Sequence, residues 1–255
     1  MIAAYAPMRA TVRRKRLKAA QAVTERQAVD DVARLLDVRY KALCRELRRG
    51  NMRKRLSKLD SSSDLSKALN IDWAAWIKDF IKHLRAALIP IILAVQKVEA
   101  EYWATHGGKY DAGDPNDVID GYEARTGQPL SAIGDTTQTG VLNTIRNWYS
   151  DPGQPFKSLL TKIGVFFSAA RAADIVATES TNIASEVAGD AGPKMGATHW
   201  LWDLAPEDGP FPCQACVDKS EGGPYAFDDP TAKRPPIHPK DRCGMIYVNS
   251  AGVEV

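Results

Sequence analysis

One apolar stripe constrains this chain more than any other feature. Trp73, Trp76, Ile77, Phe80, Ile81, Leu84, Leu88, Ile91, Val95, Val98 and Tyr102 recur at spacings of three and four. That repeat lines one face of a long amphipathic helix. Asp72 or Asn70 stands where a capping side chain belongs. Pro90 removes one backbone donor and is expected to kink the helix. Most of the stripe reads as core. For Trp73 and Trp76, near one end, a partner interface is the alternative, since aromatic residues are enriched there.

Helical spacing recurs on either side. Val29, Val32, Leu35, Leu36, Tyr40 and Leu43 line a face within a helical stretch over 9–56. The polar run Ser57–Asp64 reads as a hinge, and Thr105–Asp117 as a loop. Shorter helices are expected near 117–125, 130–149 and 156–164. An Ala- and Ser-rich helix follows over 168–188, ended by Gly189, Gly192 and Pro193. Beyond residue 197 glycine and proline become dense, with β-like pieces at Thr198–Asp203 and Met245–Asn249. The fold class expected is mainly α (α+β). It divides into a basic helical arm (1–58), a helical body (65–167) and a small β-containing C-terminal module (168–255). A length of 255 residues accommodates one large domain or two small ones.

The net charge of +3 conceals an asymmetry. Residues 1–58 hold 17 Lys and Arg against 5 Asp and Glu, a balance of +12, and the remainder carries −9. A basic arm on an acidic body suits an anionic partner. Arg13, Arg14, Lys15, Arg16, Lys18, Arg48, Arg49, Arg53, Lys54 and Arg55 are the candidates to meet phosphate or acidic side chains. A solvated basic helix is the plainer alternative. The apolar run Leu88–Val95 contains Pro90 and falls well short of the ~20 residues a bilayer demands, so no membrane-spanning segment is expected. The N-terminus lacks the pattern of a secretory signal. With only 4 cysteines, the chain is expected in a reducing cytoplasm.

Three of those cysteines and one histidine form the most specific motif. Cys213 and Cys216 are followed by His238 and Cys243, a C-x2-C…H-x4-C arrangement. Thiolates two residues apart can turn toward one ion, and the second pair completes a tetrahedral zinc site. A closed four-ligand site is structural, because catalytic zinc keeps a position open. Residues 204–243 are poor in large apolar side chains, so ordering them needs another source of free energy. Structural zinc supplies roughly 10–16 kcal/mol in small peptides. The alternatives are small buried cysteines beside a loop histidine, a Cys213–Cys216 redox pair, and a Cys213–Cys243 disulfide. The flanking prolines argue against the redox pair, and a reducing compartment argues against the disulfide.

Catalytic templates are missing. Pro212-Cys213-Gln-Ala-Cys216 matches half of a zinc-deaminase signature, but no histidine is followed by the required H-x-E glutamate. There is no nucleophile elbow, phosphate loop or H-E-x-x-H pair. Asp203, Glu207 and Asp208 form an acidic cluster, read as a solvated loop.

Taken in order, Thr178-Glu179-Ser180-Thr181, Gly192 and Gly196, His199-Trp200-Leu201-Trp202-Asp203, the Cys-x-x-Cys pair, Gly222-Gly223 and Pro235–Cys243 resemble the head morphogenesis family of tailed bacteriophages, the Mu F-like minor head proteins. The resemblance covers residues 168–249, about a third of the chain. Ala177 stands where the family has arginine, and Asp241 where it has the first of two closing cysteines. The resemblance implies a non-enzymatic minor capsid protein with a structural role in head assembly. It would be made in the host bacterial cytoplasm and carried in the virion head. Multiple copies per particle would sit near the portal, against portal or major capsid protein, and could meet packaged double-stranded DNA. The alternatives are a free-standing DNA-binding protein with a structural zinc, and a metal-dependent hydrolase using Glu179 or Asp203.

Overall fold

The computed structural model describes residues 7–49, 52–57, 65, 69, 71–127, 129–204, 214–229, 231–236 and 243–254. Helices dominate. They are α1 (Pro7–Arg48), α2 (Met52–Leu56), α3 (Trp73–Ala104), α4 (Pro115–Thr126), α5 (Ser131–Ser150), α6 (Phe156–Gly164), α7 (Ala169–Lys194) and α8 (Gln214–Glu221). A 3-10 turn, Val165–Phe167, precedes α7. Three short strands, β1 (His199–Asp203), β2 (Tyr225–Ala226) and β3 (Gly244–Val248), form an antiparallel sheet in the order β2-β1-β3. The fold is mainly α with one small sheet near the C-terminus, as the sequence pattern predicts. No described helix is long and apolar enough to cross a membrane.

The chain gathers into two compact units, and neither is one continuous stretch of sequence. The first joins Met1–Gln27, Leu88–Arg125 and Asp174–Val255, and the second joins Ala28–Ala87 and Thr126–Ala173. The boundaries expected near 58 and 168 differ from this partition, because α1 and α3 each contribute to both units.

In the described residues of the second unit all regular structure is helical. Val32, Leu36, Leu43 and Leu47 on α1 are buried, and so are Trp73, Trp76, Phe80 and Leu84 on α3. The Trp73 and Trp76 rings meet edge to face at 5.6 Å, and Trp76 stacks on Phe80 at 5.5 Å. These tryptophans are core, not rim. Asp72 Oδ1 accepts the Ala75 N–H at 2.9 Å, so Asp72 caps α3. Gly134 lets α5 approach α3 closely, since a Cβ there would lie 2.9 Å from the Ile77 side chain. The Tyr40 hydroxyl donates to the Leu160 carbonyl at 3.0 Å.

The first unit surrounds the sheet. Pro90 does not end α3, which runs through it to Ala104. Pro90 and Ala86 are exposed, so water can satisfy the Ala86 carbonyl that loses its helical donor. Residues Leu88, Ile91, Ile92 and Val95 then continue the buried stripe. On the sheet, Trp200 and Trp202 alternate inward on β1, matched by Met245 and Tyr247 on β3. The register sets Trp200 opposite Tyr247 and Trp202 opposite Met245. Trp103 stacks on Tyr247 at 5.6 Å.

Helix α7 overruns its expected end. Gly189, Gly192 and Pro193 all lie inside it. Gly192 serves close packing instead, because a Cβ there would meet Phe227 at 2.5 Å and Tyr247 at 3.1 Å. The stop is Gly196, at φ +85°. Ala197 N–H donates to the Gly192 carbonyl at 3.1 Å and Gly196 N–H to the Pro193 carbonyl at 3.0 Å. That pair of bonds is a Schellman cap, which asks for glycine at the left-handed position.

Candidate functional site

Two of the four candidate metal residues lie on described elements around the sheet. Cys216 lies in α8 and Cys243 directly precedes β3. Both are buried, 2% and 7% exposed. Cys213 and His238 lie outside the described residues, as do Glu207 and Asp208. Among the described residues no three His, Cys, Asp or Glu side chains gather around one point. The donors that are described suit a soft ion, being thiols drawn out of water by a small sheet and a helix. Helix α8 begins at Gln214, immediately after Cys213, and carries Cys216, so a helix forms at the cysteine pair despite the nearby prolines. The Tyr225 hydroxyl donates to the Lys219 carbonyl at 2.8 Å, which ties β2 to the last turn of that helix.

The basic candidates divide sharply. Arg13, expected to face an anionic partner, is instead buried at 7% exposure. Its guanidinium pairs with Glu99, which is fully buried. Nε lies 3.1 Å from both Glu99 oxygens, Nη1 donates to the Met245 carbonyl at 2.9 Å, and Nη2 donates to the Tyr247 hydroxyl at 2.7 Å. Burial pulls the Arg13 pKa down, and the Glu99 carboxylate with the Tyr247 and Tyr102 hydroxyls more than reverses it, to a value above the ordinary one. A charge so buried persists only when paired and hydrogen-bonded. Arg13 is therefore withdrawn from the candidate surface.

Other members are also engaged. Arg14 Nη1 donates to Asp203 Oδ1 at 3.0 Å, and Arg49 pairs with Glu46 at 2.6 Å. Arg53 sits over the Trp148 ring at 4.4 Å and donates to the Asp151 and Gln154 carbonyls at 3.0 and 3.3 Å. Lys15, Arg16, Arg48 and Lys54 are exposed, and Lys18 is half-buried. The Arg55 side chain lies outside the described residues.

The Thr178–Thr181 motif faces inward on α7. Ser180 Oγ donates to Glu25, and Gln21 Nε2 donates to the Ser180 carbonyl at 3.3 Å, which seats α1 on α7. Glu179 is 8% exposed. Burial pushes its carboxyl up, against the Tyr122 hydroxyl and the Asn182 amide, which hold it down. Its polar neighbours are thus Tyr122, Asn182 and Glu123, and none is a candidate metal ligand. Burial likewise pushes Asp203 up, opposed by Arg14, Arg13 and Lys18.

No family model, no curated protein and no solved structure matches this chain.

Sequence reasoning missed Glu99. The signal was present: Glu99 is four residues after Val95 and three before Tyr102, so it lies on the apolar stripe itself. A charged residue at a core position demands a buried counter-charge, and Arg13 supplies it.

Proposed function

We propose that the chain is a minor head protein of a tailed bacteriophage or prophage, non-enzymatic, acting in head assembly at or near the portal. What carries the reading is that the described residues behind the family resemblance lie in one compact unit and act there as structural parts. Ser180 seats α1 on α7, Gly192 admits Phe227 and Tyr247, Gly196 caps α7, and Trp200 and Trp202 fill the sheet's inner face. Their roles are packing roles, which suits scaffolding.

In this reading Cys213, Cys216, His238 and Cys243 hold a structural zinc. Bound there, zinc supplies folding free energy to a segment too poor in apolar residues to order itself. Lys15, Arg16, Arg48 and Lys54, exposed in the described structure, are the side chains offered to an acidic portal or capsid surface or to packaged DNA. The protein is made in the host cytoplasm and ends in the virion head.

Quantitative mass spectrometry of heads and precursor heads from the source tests the reading. Peptides at a few copies per portal ring support it, and absence from both particles overturns it. Elemental analysis of the purified chain tests the zinc separately, with one ion per chain expected. The exposed basic side chains also favour a second reading, a free-standing DNA-binding protein. That reading requires duplex binding that weakens steeply with salt.

A further inference from the structure

A cavity of about 520 Å³ lies in the first unit, walled by the N-terminal half of α1, by α7, by the end of β1 and by the start of β3 with the preceding Cys243. Its volume falls within the range of small-molecule sites, about 300–1,000 Å³. The cavity exists because the facing helices meet through small residues. Ala22 on α1 and Ala177, Ala184 and Ala188 on α7 line it, so the space between the helices stays unfilled.

The polar groups in its wall are unevenly satisfied. Thr181 Oγ1 on α7 donates to the Ala177 carbonyl four residues back, at 3.2 Å. Ser185, one turn further and only 5% exposed, makes no such bond. Among the described residues, Ser185 Oγ and Arg14 Nη2 are buried polar atoms with no hydrogen-bond partner, and both residues line this cavity. The other Arg14 nitrogen, Nη1, is held by Asp203. Lys18 follows Arg14 by one helical turn in the same wall. Two donors withheld from water and unmatched by protein are costly, and in native structures such groups call for a ligand or an ordered water.

We propose that this cavity binds a small oxyanion-bearing molecule, a phosphate or a carboxylate, through Arg14 Nη2 and Ser185 Oγ, with Lys18 nearby. A guanidinium edge is an acceptor-seeking group that matches such oxygens in geometry and charge. The wall's two carboxylates are already engaged. Asp203 accepts from Arg14, and Glu25 accepts from Ser180. Arg13, also in the wall, is neutralised by Glu99. The net field is therefore small, and selection rests on directed bonds. This inference stands apart from the proposed role in phage heads.

Thermal unfolding of the full chain tests it, with inorganic phosphate and succinate titrated separately at matched ionic strength in sodium chloride. A saturable rise in Tm is expected with at least one probe. Phosphate alone, or succinate alone, names the source of the oxyanion. Ser185→Ala and Arg14→Gln are each expected to weaken the apparent Kd roughly tenfold or more. Lys41→Gln, an exposed change on the other compact unit, leaves it unchanged. If Arg14→Gln fails to fold, Ser185→Ala carries the test alone, because removing an unpartnered hydroxyl does not weaken the unliganded protein. A flat response to both probes overturns the proposal. So does a response that fails to saturate, or one that is equal in wild type and Ser185→Ala, since that is water filling the cavity and salt acting on the surface.

Discussion

In the all-helical unit the side chains at the centre are aromatic and touch one another, Trp73 on Trp76 and Trp76 on Phe80. In the sheet-containing unit the centre holds an ion pair, Arg13 with Glu99, wrapped by Tyr247 and the Met245 carbonyl. The first kind of core draws on area and tolerates some repacking. The second depends on every polar group finding its partner, and loses heavily when one is removed. The two units should therefore fail differently under mutation.

Glu99→Ala gives the largest expected effect. It strands the Arg13 charge in a buried site, which costs about 3–5 kcal/mol. Urea unfolding followed by circular dichroism measures it. Trp76→Ala in the helical unit costs a similar amount, about 3–5 kcal/mol, by leaving a cavity. The rescue separates the two. Replacing both partners, Arg13→Met with Glu99→Leu, is expected to recover more than half of the Glu99→Ala loss, since apolar residues of similar volume can replace a buried pair. A Glu99→Ala loss below about 1 kcal/mol would remove the ion pair from the centre of the argument.

This contrast also explains what could be read in the sequence. Helices α3, α5 and α6 follow apolar periodicity, and their expected and observed bounds agree to within a few residues. Strands β1 and β3 were legible as β-like pieces at Thr198–Asp203 and Met245–Asn249. Helix α8 and the two-residue β2 were not, because short elements in a Gly- and Pro-rich segment carry no periodic signal. Gly189 and Gly192 misled because glycine in a sequence announces a stop and a close approach with the same letter. Arg13 misled because a run of basic residues hides the one that turns inward. Of the cysteine and histidine set read as metal ligands, Cys216 and Cys243 are buried, and Cys213 and His238 lie outside the described residues. The cavity at Ser185 had no sequence signature, since it arises from alanines meeting across two helices distant in sequence.

Gly192→Ala comes next in size, and its sign is diagnostic. In an exposed helix interior, glycine to alanine stabilises by about 0.8–1.0 kcal/mol. Here the added Cβ meets the Phe227 and Tyr247 rings, so a loss of about 1–3 kcal/mol is expected from overpacking. Gly189→Ala is the control. The obstructing group there is the tip of Arg234, a flexible side chain that can swing aside, so the change should stay within about 1 kcal/mol of wild type. Equal outcomes for the two glycines would break the claim that the sheet-containing unit is closed by specific ring contacts. Asp72→Ala then probes the helical unit through a local device. Loss of the α3 cap should cost about 1 kcal/mol, with most of it restored by Asp72→Asn.

The last effect is a slope, and it belongs to the sheet-containing unit. Glu179 has its pKa raised above the ordinary 4.5, mainly by burial. The folded state therefore binds a proton that the unfolded state has already released. Stability from this group is fully present below the unfolded pKa and is lost as pH rises through the folded value. Glu179→Gln removes the titration while retaining an oxygen that can accept from Tyr122 and Asn182. Its stability should fall less steeply than that of wild type as pH rises from about 4 upward, and at neutral pH it should match or exceed wild type. Asp203, raised by burial in the same unit, acts in the same direction and stays in the background of both proteins, so the difference between their slopes isolates Glu179. Urea midpoints measured across pH 4 to 8 give that difference. A Glu179→Gln protein less stable than wild type at pH 7, with an unchanged slope, would mean that the charged carboxylate is held by a partner stronger than its burial. The Thr178–Thr181 motif would then be a poised ionic site, and its assignment to packing would have to be withdrawn.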